Sequence, residues 1–198
     1  MKNFKLTTTT VIIVIFLSLL ALVCNHSDAY GHYVLERRIR ASDVNYVEDY
    51  LNHGGDPNYV FRERLKSAQS LLGIATKKSD IAMVEVLLAK GADPNHLYAE
   101  KIYSPFIDAI NVLPQTSKSR EILKKFRDGF TILSQNCNGD TPLHWAYRYG
   151  DDKTIKILEG HPEFSLAAGV RNKLGETPMD IQSSRASKES AGQYPRSD

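Results

Sequence analysis

Apolar residues recur along the chain with the three-to-four-residue spacing of amphipathic helices, and residues that end helices follow each apolar stretch. The stretches "VNYVEDYL" and "IAMVEVLL" both lead into a turn of the form Gly-x-Asp-Pro-Asn, at residues 54–58 and 91–95. Gly, Asp, Pro and Asn favour tight turns over helix. Two such copies 37 residues apart predict an array of helical repeats, because arrays have periods of about 20–50 residues.

A second helical unit is predicted for "GDTPLHWAYRYGDDKTIKIL", residues 139–158. The Thr141 hydroxyl is placed to cap a helix, and Pro142 has the φ angle of a first helical turn. Gly150 predicts the end of that helix, and Asp151 or Asp152 begins the helix that contains "TIKIL". The segment therefore predicts a helix–turn–helix unit.

The segment "TPLHWAYRYG" resembles the ankyrin repeat, whose signature is T-P-L-H-x-A in a period of 33 residues. Residues 70–95 resemble a whole repeat with Ser70, Leu71 and Gly73 at the Thr, Pro and His positions. "SPFIDAI" and "ETPMDI" keep the start of the motif, so the four starts lie 34, 37 and 36 residues apart. The excess over 33 predicts short insertions near residues 114–119 and 162–169.

The resemblance covers residues 35–182 and implies an all-α solenoid of four to five helix–turn–helix units, which would follow the N-terminal signal peptide expected from residues 1–29. The repeat domain is expected at residues 30–182, and the polar residues 183–198 are expected to be disordered. The residues expected to shape the repeats are Ser70, Ala75, Gly91, Asp93, Asn95, Ser104, Pro105, Thr141, Pro142, Leu143, His144, Ala146, Gly150, Thr177 and Pro178.

Residues 1–29 have the order of a secretory signal peptide: Lys2 and Lys5, an apolar run at 11–23, and small residues at Ser27 and Ala29. We therefore expect cleavage after Ala29 and a periplasmic or secreted protein. Two alternatives are an uncleaved anchor formed by residues 6–24 and lipidation at Cys24. Cleavage leaves Cys137 as the remaining cysteine, which excludes an internal disulfide.

Charge and motifs argue against nucleic-acid binding and catalysis. The whole chain has a net charge of +2, and residues 30–198 carry 23 basic and 22 acidic residues. The six His residues have no metal-ligand spacing, and no nucleotide-binding or hydrolase motif is present. We therefore expect no metal, no cofactor and no enzyme. Cys137 with His144 is the remote catalytic alternative, although His144 already belongs to the repeat turn.

The resemblance implies binding of one protein partner through the inter-repeat loop tips and the ends of the first helices. Six of the fifteen tip and helix-end positions are basic and two are acidic, which predicts a partner with an acidic surface. The expected binding residues are Lys66, Gln69, Lys77, Lys78, Lys101, Tyr103, Asn111, Asn138, Asp140, Arg148, Tyr149 and Lys173. Tyr103, Arg148 and Tyr149 are the expected anchors, and Trp145 is either a packing residue or a further anchor.

A small exported binder without catalytic groups suits stoichiometric inhibition. The hypothesis is an immunity protein that neutralises a secreted toxin such as a lipase, monomeric before binding and touching the membrane only through an uncleaved signal segment. The alternative is a scaffold, assembly or stress-defence factor that binds a resident envelope protein.

Overall fold

The computed structural model describes residues 31–61, 68–111 and 116–190, with side chains through residue 187. This part of the chain is mostly helical, which confirms the predicted all-α class. The elements in chain order are α1 (31–40), α2 (Val44–Asn52), β1 (Val60–Phe61), β2 (Gln69–Ser70), α3 (Leu71–Lys77), α4 (Ile81–Ala89), α5 (Pro105–Asn111), α6 (Ser117–Gly129), α7 (Pro142–Tyr149), α8 (Asp152–Glu159), α9 (Phe164–Gly169) and α10 (Pro178–Ser190). The expected signal peptide lies outside the described residues, and the number of repeats stays a prediction.

The helices stack in two layers. In one layer α3 packs on α5, α5 on α7, and α7 on α10, while in the other α2 packs on α4, α4 on α6, and α6 on α8. The pairs α3/α4, α5/α6 and α7/α8 connect the layers. Each helix pair buries its apolar face only against its neighbours, so the stack resembles a helical solenoid.

The core is one continuous apolar cluster that runs between the two layers. Leu87, Ile110, Leu123 and Leu143 have no exposed surface. Within the described residues Cys137 is a free cysteine, so packing holds the helices together.

Side-chain caps begin most of these helices where the sequence places Ser, Thr or Asp. In each cap the side-chain oxygen accepts a hydrogen bond from the backbone N–H three residues later, and one cap contributes about 1 kcal/mol. The capping residues are Asp43, Ser70, Asp80, Thr116, Thr141 and Asp151.

The repeated Gly-x-Asp-Pro-Asn turns form a hydrogen-bonded ladder along one side of the stack. Gly91 ends α4 with a φ of 90°, a conformation that favours glycine. The Asp93 N–H donates to Asn58 Oδ1 at 2.8 Å, and Asn95 Nδ2 donates to the Thr131 carbonyl at 3.1 Å. Each copy of the turn therefore provides a hydrogen bond between one repeat and the next.

Two features go beyond the predicted helix–turn–helix units. The short helix α9 lies in the region where the sequence predicted an insertion, 162–169. The strands β1 and β2 pair antiparallel, with Val60 opposite Ser70.

Helix α10 continues to Ser190 and so extends into the segment 183–198, which was expected from the sequence to be disordered. The Arg185 guanidinium donates to the Gly150 carbonyl at 2.7 Å and ties the helix to the end of α7. Ser183 and Ser187 donate their hydroxyls to carbonyls four residues earlier, at 2.9 Å. Residues 191–198 lie outside the described part.

Candidate protein-binding surface

Two loop tips share the pattern N-x-x-G-[DE]-T-P, at residues 136–142 and 172–178. In both, the Asn side-chain oxygen accepts the backbone N–H groups two and four residues later, at 2.9–3.0 Å. Gly139 and Gly175 have φ angles of 76° and 78°. The pattern therefore folds into the same tight turn twice.

Backbone hydrogen bonds hold successive tips against each other. The Cys137 N–H donates to the Lys101 carbonyl at 2.8 Å, and the Lys173 N–H donates to the Asn138 carbonyl at 2.9 Å. A Cβ added to Gly139 would lie 2.9 Å from the Lys173 nitrogen, so only glycine allows this approach.

A cleft of 510 Å³ lies where the last two tips meet the C-terminal end of α7. Its size falls in the range of ligand pockets, about 300–1,000 Å³. The lining residues are Asn138, Asp140, Arg148, Tyr149, Asn172, Lys173, Leu174 and Glu176.

An ion-pair network organises the cleft. Arg148 Nη1 donates to Asp140 Oδ2 at 2.9 Å, and Arg148 Nη2 lies 3.7 Å from Glu176 Oε2. Asn172 Nδ2 donates to the other Asp140 oxygen at 2.9 Å. With Lys173, the lining carries two basic and two acidic side chains and is electrically balanced.

Apolar side chains stand exposed at this cleft. Tyr149 is 53% exposed and Leu174 is 81% exposed. Tyr149 is supported from below by Trp145, whose ring centroid lies 5.0 Å away, and Trp145 contacts Tyr103 at 5.6 Å. Trp145 itself is only 7% exposed, so the structure assigns it to packing rather than to an exposed anchor.

The cleft brings together five of the predicted binding residues: Asn138, Asp140, Arg148, Tyr149 and Lys173. The predicted list of binding residues omitted Asn172, Leu174 and Glu176. The recurrence of N-x-x-G-[DE]-T-P is the signal that could have identified them, because it marks the second tip as a copy of the first.

The interpretation of Asp140 as a contact residue needs correction. Its carboxylate is 4% exposed and is occupied by Arg148 and Asn172. Burial of an unpaired carboxylate is costly, so the fold pairs this group internally and leaves it unavailable to a partner. Asp140 shapes the cleft from beneath.

The predicted preponderance of basic side chains at the tips and helix ends includes three cations that have internal partners. Arg148 is paired as described, and Lys77 Nζ lies 3.2 Å from the buried Asp108 carboxylate. Lys78 donates to Ser42 Oγ at 2.8 Å and to the Arg40 carbonyl. Lys101 and Lys173 are exposed at the tips.

The other predicted binding residues lie away from the cleft. Gln69 lies in β2 and accepts a hydrogen bond from Arg40 at 3.2 Å. Tyr103 and Asn111 are half-buried, the latter at the end of α5. Lys66 lies outside the described residues.

Within the described residues, Cys137 and His144 hydrogen-bond to other groups rather than to each other. His144 is fully buried; its Nδ1 accepts the Thr141 N–H at 3.1 Å, and its Nε2 lies 3.2 Å from the Glu176 carbonyl. Because a carbonyl only accepts, we assign the neutral tautomer with hydrogen on Nε2, and burial lowers the pKa of the ring. The Cys137 thiol contacts Asn138 Oδ1 at 3.6 Å.

Residues 31–61, 68–111 and 116–190 contain neither a candidate metal site nor a candidate membrane span. No three His, Cys, Asp or Glu side chains gather there as a metal site. No helix in these ranges has the length and hydropathy for a membrane span.

Parts of this chain match a family model and a known protein. Residues 138–161, which contain α7, α8 and the first tip of the cleft, match the family model described as Ankyrin repeat. The chain is 37% identical over 51 residues to "Ankyrin repeat and LEM domain-containing protein 2" of Rattus norvegicus. That alignment covers 26% of this chain and 5% of the rat protein. The two matches support an ankyrin-repeat protein, a type that typically serves as a non-catalytic protein-interaction module.

Proposed function

We propose that this chain is a non-catalytic module that binds one protein partner at the cleft between its last two loop tips. The observation that carries the proposal is the pair of exposed apolar side chains, Tyr149 and Leu174, beside an ordered Arg148. Aromatic and Arg side chains contribute disproportionately to protein interfaces. A partner that covers them would bury about 1,600 Å² in an interface of standard size.

The ion-pair network supports this role because it prepares the cleft before binding. Arg148 is held by Asp140 and Glu176, and the tips are joined through backbone hydrogen bonds. Preorganised side chains lose little conformational entropy on association. The partner therefore meets a rigid surface.

The balanced cleft favours a partner with an apolar side chain surrounded by polar groups. Tyr149 and Leu174 provide the apolar contact, while Asn138 and Lys173 are exposed polar lining residues. The hypothesis of an acidic partner now depends on Lys101 and Lys173, because Lys77, Lys78 and Arg148 have internal partners.

The test is capture by the tagged full chain from extracts of its own cells, identified by mass spectrometry. We expect the double variant Tyr149→Ala/Leu174→Ala to lose at least about tenfold in partner affinity, since each buried anchor contributes about 1–2 kcal/mol. The variant should remain folded in thermal unfolding, because Leu174 is mostly exposed and Tyr149 loses only its contacts with Trp145 and Arg148. The matched control is Tyr33→Ala/Leu166→Ala, whose residues are 57% and 67% exposed and lie outside the cleft lining.

Retention of the same partner by the Tyr149→Ala/Leu174→Ala variant would refute the cleft as the binding site. Loss of the partner by the control variant as well would show that apolar contacts in general, rather than the cleft, hold it.

For the biological role we propose an exported immunity protein that inhibits a secreted toxin. This proposal is supported by the signal-like pattern at residues 1–29. Intact-mass analysis of the chain from its own cells should show a start at Tyr30. A stoichiometric secreted hydrolase that the chain inhibits on mixing would support immunity, whereas a resident envelope protein would support the scaffold alternative.

A further inference from the structure

A carboxyl group occupies a repeat position that is otherwise apolar. Four residues after the Ser or Thr that starts each motif, the chain has Ile74, Asp108, Trp145 and Ile181. Asp108 lies on α5 and is 2% exposed, so it is buried like its apolar counterparts. A buried ionisable group at such a position is costly and marks a candidate functional feature.

The two oxygens of this carboxyl have different surroundings. Oδ1 lies 3.2 Å from Nζ of Lys77, whose side chain is 40% exposed. Oδ2 has no hydrogen-bond partner in the described residues, and neither has the buried hydroxyl of Tyr98. Asp108 Oδ2 and the Tyr98 hydroxyl oxygen both lie within 3.0 Å of the point where a Cβ on Gly73 would stand. These two oxygens are therefore at most about 6 Å apart.

Gly73 is what allows this arrangement. In the repeat that begins at Thr141, the fourth position holds His144, which fills the space between tips. In the repeat that begins at Ser70 the same position is Gly73, and the Tyr98 hydroxyl and Asp108 Oδ2 occupy the space instead. A side chain at residue 73 would collide with both.

Among the elements packed around Asp108, Lys77 is the charged residue that interacts with the Asp108 carboxyl. The residues that α6 buries are not ionisable. Its other charged side chains are either paired with another residue or exposed. The pairs are Arg120 with Asp151, Lys125 with Glu85 and Arg127 with Asp128, and the exposed side chains are Lys118, Glu121 and Lys124. The ionisable groups of α7 are His144 with the Glu176 carbonyl, Tyr147 with Glu159, Arg148 with Asp140, and the exposed Tyr149. In the loop before α5, Glu100 and Lys101 are exposed, and Tyr98 lies under Lys77, whose Nζ is 5.9 Å from its ring centroid.

Burial dominates the protonation of Asp108. It raises the pKa of the carboxyl to about 7, against the opposing attraction of Lys77. Both protonation states are therefore populated near neutral pH. The ionised carboxyl pairs with Lys77, and the Tyr98 hydroxyl, which has no partner among the described residues, borders the same space beside Gly73 as Oδ2.

We propose that Asp108 is a proton-operated switch that sets whether Lys77, at the end of α3, is held in an internal ion pair or presented to a partner. Its ionised form holds Lys77 in an ion pair, whereas its protonated form donates towards Tyr98 and leaves Lys77 as an unpaired cation. Lys77 lies seven residues after Ser70, and Arg148 lies seven residues after Thr141. The two cations therefore occupy equivalent positions, in the last turns of α3 and α7. The consequence for partner binding, stronger capture of an acidic surface at lower pH, rests on the proposed function.

The switch is tested by NMR on the full chain, following the Asp108 carboxyl carbon and Lys77 Nζ from pH 5 to pH 9. We expect the carboxyl signal to titrate within about one pH unit of 7 and the Lys77 signal to follow with the same midpoint. Asp108→Asn should abolish the Lys77 inflection. Lys77→Met should move the Asp108 midpoint upward, because the stabilising cation is gone.

Titration of Asp108 near its ordinary value of 3.8 would overturn the proposal, as would a Lys77 signal that ignores Asp108. The Lys77→Met titration decides the matter even if Asp108→Asn fails to fold, because the exposed end of Lys77 tolerates substitution.

Capture at pH 6 and pH 8 separates the switch from the proposed function. Loss of the partner in Tyr149→Ala/Leu174→Ala at both pH values supports the function by itself. Wild-type capture at least threefold stronger at pH 6, with no difference in Asp108→Asn, supports regulation by the switch. Equal wild-type capture at the two pH values refutes that regulation.

Discussion

At the scale of single residues, internal pairing decides what the charged side chains do. Arg148 is the central case, because its guanidinium joins Asp140 to Glu176 and its removal would leave a carboxylate that is 4% exposed without a cation. Removing one partner of such a pair is usually more damaging than replacing both with neutral groups.

We predict that Arg148→Met lowers the free energy of unfolding by about 3 kcal/mol, because it leaves Asp140 buried and unpaired. Arg148→Met combined with Asp140→Asn should recover most of that loss, since a neutral amide needs no counterion. Urea unfolding of the two variants beside wild type measures both effects. Equal destabilisation by the single and double variants would contradict the pairing argument.

Asp108 leads to a pH-dependence prediction with a definite sign. Its pKa is raised from 3.8 to about 7 on folding, so its stabilising contribution is complete below pH 4 and is lost as the pH rises to 7. His144 acts in the opposite direction: its lowered pKa gives a contribution that is present above 6.5 and is lost as the pH falls.

We therefore compare Asp108→Asn with wild type, which cancels the His144 contribution. Asp108→Asn should gain thermal stability relative to wild type between pH 5 and pH 8, by about 2–4 °C in Tm for each 1 kcal/mol. Calorimetry at several pH values measures the difference. A Tm difference that does not change with pH would contradict the raised pKa.

At the scale of elements, the tips and turns determine how each repeat meets the next. The tip glycines Gly139 and Gly175 have nearly the same φ, yet only Gly139 is covered by a neighbouring tip. The two positions therefore separate the cost of backbone conformation from the cost of inter-repeat contact.

We predict that Gly175→Ala costs about 1 kcal/mol, the usual penalty of positive φ for a residue with a Cβ. Gly139→Ala should cost at least about 1 kcal/mol more, because its Cβ would also push Lys173 away and weaken the hydrogen bond to Asn138. Chemical denaturation of both variants gives the comparison. Equal losses would show that the tips do not depend on close contact.

At the scale of the whole molecule, stacked helices form one core, and the exposed apolar side chains belong to different elements. In the described residues the large exposed apolar side chains are Tyr33, Tyr149, Leu166, Leu174 and Met179. Stable dimers usually cover more extensive apolar surface than such separate side chains provide.

We predict that the chain is monomeric before it meets its partner. Size-exclusion chromatography with light scattering should give 22.2 kDa for the full chain across a wide concentration range. The Tyr149→Ala/Leu174→Ala variant should elute at the same volume. A concentration-dependent dimer that this variant abolishes would show that the cleft binds a second copy of the chain.

Local physical chemistry made some features predictable from the sequence alone. Thr141 and Pro142 start α7, and Gly150 and Asp151 separate it from α8, because caps and turns depend on residues within four positions. The resemblance of residues around Thr141 to the ankyrin motif is likewise carried by neighbouring residues. The helical class followed from the same periodic pattern.

Only the tertiary structure decided which side chains face a partner. Lys77 and Asp108 are 31 residues apart in the chain, and nothing local indicates that one neutralises the other. The burial of Trp145 and the hydrogen bond from Arg185 to the Gly150 carbonyl also depend on contacts between elements that are distant in the sequence. Turns and caps are determined by sequence neighbours, whereas burial and charge pairing are determined by which repeats come together, so the sequence predicted the repeat and the folded stack determined its binding surface.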